Sequence, residues 1–260
     1  MPPSRSQRFP SLSILLPVIL LLLVMLLAGA LFVYQATEDI RGSTFLPSTT
    51  QAWRASQPAS SGKTTPVAQP PFDFYVLALS WSPDYCATEG QNDTQQCSIG
   101  KRLGFVLHGL WPNYKKGYPQ YCSTQKLPIE LQARFPNLYP NSKLYDHQWN
   151  KHGTCSGLTP EAYLALSKSL RDSIHSPPAY QSPETPFRTT IKQLKSEFIS
   201  VNPTLAENTL AVYCSGSGRF LSEVFVCFSP DGIPTACSND IHTKALKSCA
   251  NADFLVRNVR

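Results

Sequence analysis

The sequence predicts an α+β domain, an antiparallel sheet with helices packed against it and stapled by disulfides. Three observations predict it. Four short aromatic or aliphatic runs, at 72–81, 103–108, 209–214 and 220–228, read as strands. Two amphipathic helical stripes lie between the second and third of these runs. All eight cysteines fall beyond residue 71 of the 260-residue chain.

The chain begins with a basic tail, residues 1–10, expected on the cytoplasmic side because Arg5 and Arg8 precede an uncharged apolar run. That run, SLSILLPVILLLLVMLLAGALFVY at 11–34, matches the roughly 20 residues that span a bilayer core as a helix. Ala28-Gly29-Ala30 also fits a signal cleavage site, so the segment reads as a transmembrane anchor or a signal peptide. Both readings export the remainder of the chain. Residues 35–71 are rich in Ser, Thr, Pro, Gln and Ala without an apolar period, and read as a linker. The folded domain is expected over 72–260.

Within it, FDFYVLALSW at 72–81 reads as a buried strand. LGFVLH at 103–108 reads as a second one that delivers His108 at its end, with Gly109 and Pro112 stopping it. Thr159-Pro160-Glu161 is a helix start, Thr159 as cap and Pro160 in the first turn. Ala162, Leu166 and Leu170 give that helix its apolar stripe, ended before Pro177-Pro178. A second helix is expected over 188–200, with Ile191, Leu194 and Phe198 inward. TLAVYC at 209–214 and FLSEVFVCF at 220–228 read as strands, and Pro230-Asp231-Gly232 turns the chain toward another short strand before Cys237.

Cys86, Cys97, Cys122, Cys155, Cys214, Cys227, Cys237 and Cys249 form an even set behind an export signal, which implies disulfides. No C-x-x-C pair is present, which argues against a cysteine zinc site. Spacing alone leaves the connectivity open. The domain carries 18 Lys and Arg against 15 Asp and Glu, a surplus too mild to point by itself to a polyanion partner.

Three of the five histidines sit in two short segments, FVLHGLWPN at 105–113 and HQWNKHGTC at 147–155. If 147–153 is helical, His147, Gln148, Lys151 and His152 point to roughly 0, 100, 40 and 140° and share one side. Trp149 and Asn150 then face away. Such a polar side is usually a solvated helix face. Here Trp149, Gly153 and Cys155 tie it into the fold, which favours a cleft. Two imidazoles, His108 and His152, suit the cleavage of RNA by its own 2′-hydroxyl, because histidine offers both acid and base forms near neutral pH. Lys151 can stabilise charge on the phosphoryl oxygens, and Trp111 can stack on a base. The five-residue spacing of His147 and His152, with no glutamate between them, argues against zinc; no metal or other cofactor is called for. His175 and His242 stand without chemical neighbours and read as structural.

These two segments resemble the ribonuclease T2 family, whose signature blocks are similar to FVLHGLWP and W-N-K-H-G-T-C here. The resemblance runs over roughly 72–260, and YVLALSW ahead of Cys86 is similar to the bacterial exported members. It implies a metal-independent endonuclease acting on single-stranded RNA through a 2′,3′-cyclic phosphate, with low base specificity. By the family pattern His152 is the general base, His108 the general acid, His147 and Lys151 hold or stabilise the phosphate, and Trp111 stacks on a base. Asn113 sits where base preference is tuned. The resemblance also implies the pairs Cys86–Cys97, Cys122–Cys155, Cys214–Cys249 and Cys227–Cys237.

One departure stands out. The family places glutamate after the first histidine of the second block, where this chain has Gln148. Glutamine keeps hydrogen-bonding capacity but lacks the charge that would hold the neighbouring lysine and histidine protonated, so weakened cleavage is expected. The nuclease has two rivals: an RNA-binding or signalling domain of the same fold that has lost turnover, and a surface module with a protein partner. The expected partners are single-stranded RNA and, through the amino-terminal segment, a membrane; no obligate protein partner is implied.

Overall fold

The computed structural model describes residues 72–260; the tail, apolar span and linker read from 1–71 lie outside them. Six strands form one sheet among these residues: β1 (Phe74–Trp81), β2 (Phe105–Asn113), β3 (Phe187–Thr189), β4 (Leu210–Ser215), β5 (Phe220–Phe228) and β6 (Phe254–Val256). Their order is β2-β1-β5-β6-β3, with β4 also paired to β5. All pairings are antiparallel except β5–β6, which meet in parallel at Phe220 and Leu255. The sheet is therefore mixed, because β6 returns after a helical crossover, the connection that parallel neighbours need.

β1 shows why the sheet holds. Its side chains alternate between two faces, with Tyr75, Leu77, Leu79 and Trp81 in the main core and Phe74 and Val76 in a smaller cluster opposite. Among the described residues there are seven α-helices: α1 (Ser82–Thr88), α2 (Thr94–Cys97), α3 (Glu130–Arg134), α4 (Lys143–Lys151), α5 (Pro160–Asp172), α6 (Ile191–Val201) and α7 (Asn239–Ser248). α5 starts at Pro160, and the Thr159 hydroxyl accepts from the Ala162 amide at 3.2 Å. Its buried residues are Tyr163, Leu164, Ser167 and Leu170, so the stripe is rotated from the expected Ala162 and Leu166, which only flank it. A tyrosine dominates that face because its hydroxyl finds the Leu110 carbonyl at 2.7 Å. α6 buries Leu194 and Phe198 as expected, and begins at Ile191 because Arg188 belongs to β3. α7 fills the second face with Ile241 and Ala245. The strand expected before Cys237 reduces to an isolated bridge between Phe228 and Pro234.

Four disulfides close the fold: Cys86–Cys97, Cys122–Cys155, Cys214–Cys249 and Cys227–Cys237. Among the described residues no helix is long and apolar enough to cross a membrane.

Candidate active site

β2 does not stop at His108. It runs on to Asn113 as the edge strand of the sheet, where Gly109 and Pro112 are tolerated because one side of the ladder is unpaired. The register shifts inside it: Ala78 pairs with Gly109 and Leu79 with Leu107, which leaves His108 as the extra residue of a bulge. In a regular strand, positions three apart point to opposite faces. The bulge cancels that alternation and brings His108 against Trp111, ring centroids 5.1 Å apart and edge to face. The free edge beyond is covered where the Tyr163 hydroxyl takes the Leu110 carbonyl.

The second histidine segment is helical from Lys143 to Lys151, four residues earlier than expected, and His152 already sits at its end with φ −119°. Only part of the predicted polar side is solvated. His147 is exposed and Lys151 half-buried, whereas Gln148 is fully buried beside Trp149. Trp111 partners the oxygen of the buried amide, the indole Nε1 donating to Gln148 Oε1 at 2.8 Å, while Gln148 Nε2 has no partner. Trp149 anchors the other side, donating to the Gln125 carbonyl at 2.8 Å and packing on Tyr163.

The bulge, α4 and the turn after it converge on Trp111. The His152 ring stacks on the indole at 5.2 Å and 25°, and Phe225 meets it edge-on at 5.3 Å. One face of Trp111 is thus occupied by an imidazole. Both histidine rings contact the indole. Gly109 is required for this approach, since a Cβ there would lie 2.1 Å from Gln148 Oε1 and 2.3 Å from Trp111 Nε1.

The two imidazoles have unlike surroundings. His152 is only 4 % exposed, and its Nδ1 has no partner. Burial first, then the charges of Lys151, His147 and His108, push its pKa down to about 3. Burial, with Lys151 and His108, also lowers that of His147. His108 remains open to solvent, and its Nδ1 lies 2.7 Å from Glu223 Oε1. Ser80 Oγ donates to the same carboxylate oxygen at 2.8 Å. Burial pushes the Glu223 carboxyl up, but the hydrogen bond and charge of His108, with Ser80, outweigh it and leave the pKa low.

Three contributors escape sequence reasoning. Glu223 and Ser80 are register partners across β1 and β5, a relation no local motif carries. Tyr118, 47 % exposed, reaches within 5.9 Å of the His152 ring from the loop after β2. That loop is fixed to the end of α4 by Cys122–Cys155 and by the Tyr121 amide on the Lys151 carbonyl at 3.0 Å. The aromatic and lysine content of 114–121 is the signal that could have found it. Asn113 is buried, and its side-chain amide donates to the Trp111 carbonyl at 3.0 Å, so that group is engaged within the protein. His242 contacts the Asn208 carbonyl, and the His175 amide contacts Asn202, outside this cluster.

Comparison with known proteins places the chain in a family. The chain is 38 % identical over 200 residues to a ribonuclease of Aeromonas hydrophila, covering 73 % of this chain and 87 % of that one. It is 24 % identical over 206 residues to ribonuclease I of Escherichia coli strain K12, covering 62 % and 77 %. Ribonuclease MC1 from bitter gourd seeds shares the fold, with a TM-score of 0.53 at 23 % identity over 70 % of this chain and 99 % of that one. The family model described as the ribonuclease T2 family matches residues 72–237. The chain belongs to the ribonuclease T2 family.

Proposed function

We propose that this protein cleaves single-stranded RNA by transesterification, without a metal, leaving a 2′,3′-cyclic phosphate. Family membership supports RNA endonuclease activity, and the site supplies the parts. The observation that carries the reading is the pair of imidazoles that both contact Trp111, one buried near Lys151 and one backed by a carboxylate.

Their environments favour opposite roles, as they do in other sites with two titrating groups. His152, held neutral by burial and by Lys151, is the general base that removes the 2′ proton. The charge of a bound phosphodiester opposes the nearby cations, so substrate raises its proton affinity as the reaction starts. His108, open to solvent and facing Glu223, is the general acid that protonates the departing 5′ oxygen. Lys151 and His147 stabilise the charge that builds on the phosphoryl oxygens. Trp111 holds His152 in orientation through their stacking. Tyr118 offers a base a stacking surface indifferent to sequence, which with the engaged Asn113 amide supports low base specificity. The four disulfides support an exported protein, held to a membrane or released by cleavage through residues 11–34.

A second reading rests on Gln148. It gives the His152 side of the site an amide in place of a carboxylate, and so favours a weakened enzyme or an RNA-binding domain of the same fold. Incubation of the purified protein with homopolymer RNA in EDTA separates the two. Fragments ending in cyclic phosphate support the nuclease; binding without cleavage supports the rival; the absence of both makes each untenable.

A further inference from the structure

We infer that Glu223 is a positioning residue for His108, fixing its tautomer and ring orientation through a Ser80–Glu223–His108 chain. The inference rests on the nuclease reading for its catalytic consequence, but its structural part stands apart from turnover.

The geometry is specific. Imidazole Nδ1 and carboxylate Oε1 lie 2.7 Å apart, and Ser80 Oγ donates to the same oxygen at 2.8 Å. Two donors on one oxygen hold the carboxylate from both sides. The chain also crosses the sheet, because Ser80 is on β1, Glu223 on β5 and His108 on the bulge of β2. Ser80 and Glu223 face each other in register. The bulge that frees His108 from the ladder is what lets its ring reach back over β1 to the carboxylate. Glu223 has 20 % of its side chain exposed, so its charge is weakly screened, and its side-chain hydrogen-bond partners among the described residues are His108 and Ser80.

The consequence is chemical. A carboxylate on Nδ1 requires the proton there, so Nε2 is the nitrogen that gives up or takes a proton at the substrate. When Nε2 is also protonated, the negative carboxylate stabilises the resulting cation.

The test uses Glu223→Gln, Glu223→Ala and Glu223→Asp in the full protein, with kcat measured against pH on a dinucleotide substrate. Loss of the acid form sets the alkaline limb of the profile. Glu223→Gln and Glu223→Ala are expected to lower kcat by more than about tenfold, by analogy with carboxylates that orient a catalytic imidazole. They should also move the alkaline limb down by about one pH unit, the effect of losing an adjacent opposite charge. Glu223→Asp should restore part of both. Nitrogen-15 NMR of the histidine side chains reports the tautomer whether or not the protein turns over RNA. The Nδ1–H form of His108 should dominate in the wild type and lose that dominance in Glu223→Ala. A folded Glu223→Ala with unchanged tautomer and unchanged limb overturns the inference. So does a fall in kcat with no shift in the limb and no tautomer change, which would mark a merely structural role. A wild type that shows the expected tautomer yet no cleavage defeats the nuclease reading and leaves the positioning role standing.

Discussion

The Trp111 indole nitrogen donates to Gln148 Oε1 at 2.8 Å while the face of the same ring lies 5.2 Å from His152. One side chain therefore fixes both the buried amide of α4 and the imidazole at its end. Trp111→Phe keeps an aromatic ring, though a smaller one, and deletes the donor. It leaves a buried carbonyl oxygen unpartnered, which costs about 1–3 kcal/mol. A fall in Tm together with slower RNA cleavage is expected; an unchanged Tm would deny the hydrogen bond any structural weight.

Gln148→Glu places a carboxylate in that buried position, next to the cations that surround His152. Its charge should raise the His152 pKa from its low value and increase cleavage several-fold. The acid limb of kcat/KM should move to higher pH by the same cause. Rate against pH for the two proteins decides the matter, and an equal or slower variant counts against a weakening role for glutamine.

Gly109→Ala tests the closeness of β2 and α4. Its Cβ would collide with Gln148 Oε1 and Trp111 Nε1, so the helix or the indole must move. Overpacking of this kind typically costs about 1–3 kcal/mol. The expected readout is a lowered denaturation midpoint with a larger loss in kcat than in KM, since the catalytic groups are displaced.

His152 also links stability to pH. Its native pKa is about 3 against an ordinary 6.5, so the unfolded chain binds the proton first. Stability from this group is full above pH 6.5 and declines as the pH falls toward 3. At pH 5 the loss is about 2 kcal/mol from this residue alone. Denaturant unfolding of wild type and His152→Gln at pH 7 and pH 5 should show the smaller acid loss in the variant.

The local chemistry of the site is legible in the sequence, and its long-range supports are not. FVLHGLWPN and HQWNKHGTC name four of the converging side chains because each block is contiguous. The bulge is invisible there, since it is a property of the pairing between β1 and β2 rather than of either strand. Glu223 lies 115 residues from His108 and enters only through the register of the sheet. The inward face of α4 is hidden because a buried glutamine breaks the polar-face rule, and the partner of its oxygen, Trp111, lies on another element. α7 presents only Ile241 and Ala245 to the sheet, too short a stripe to read as a helix from sequence alone.

The decisive measurement is a structure of the protein bound to a 2′-deoxy dinucleotide, which carries the phosphodiester but cannot be cleaved. One imidazole nitrogen of His152 should lie within about 3 Å of the position of the missing 2′ oxygen, and His108 Nε2 equally near the 5′ oxygen of the same phosphate. Either ring lying more than about 7 Å from that phosphate, beyond the reach of even one bridging water, would rule out acid–base catalysis by this pair.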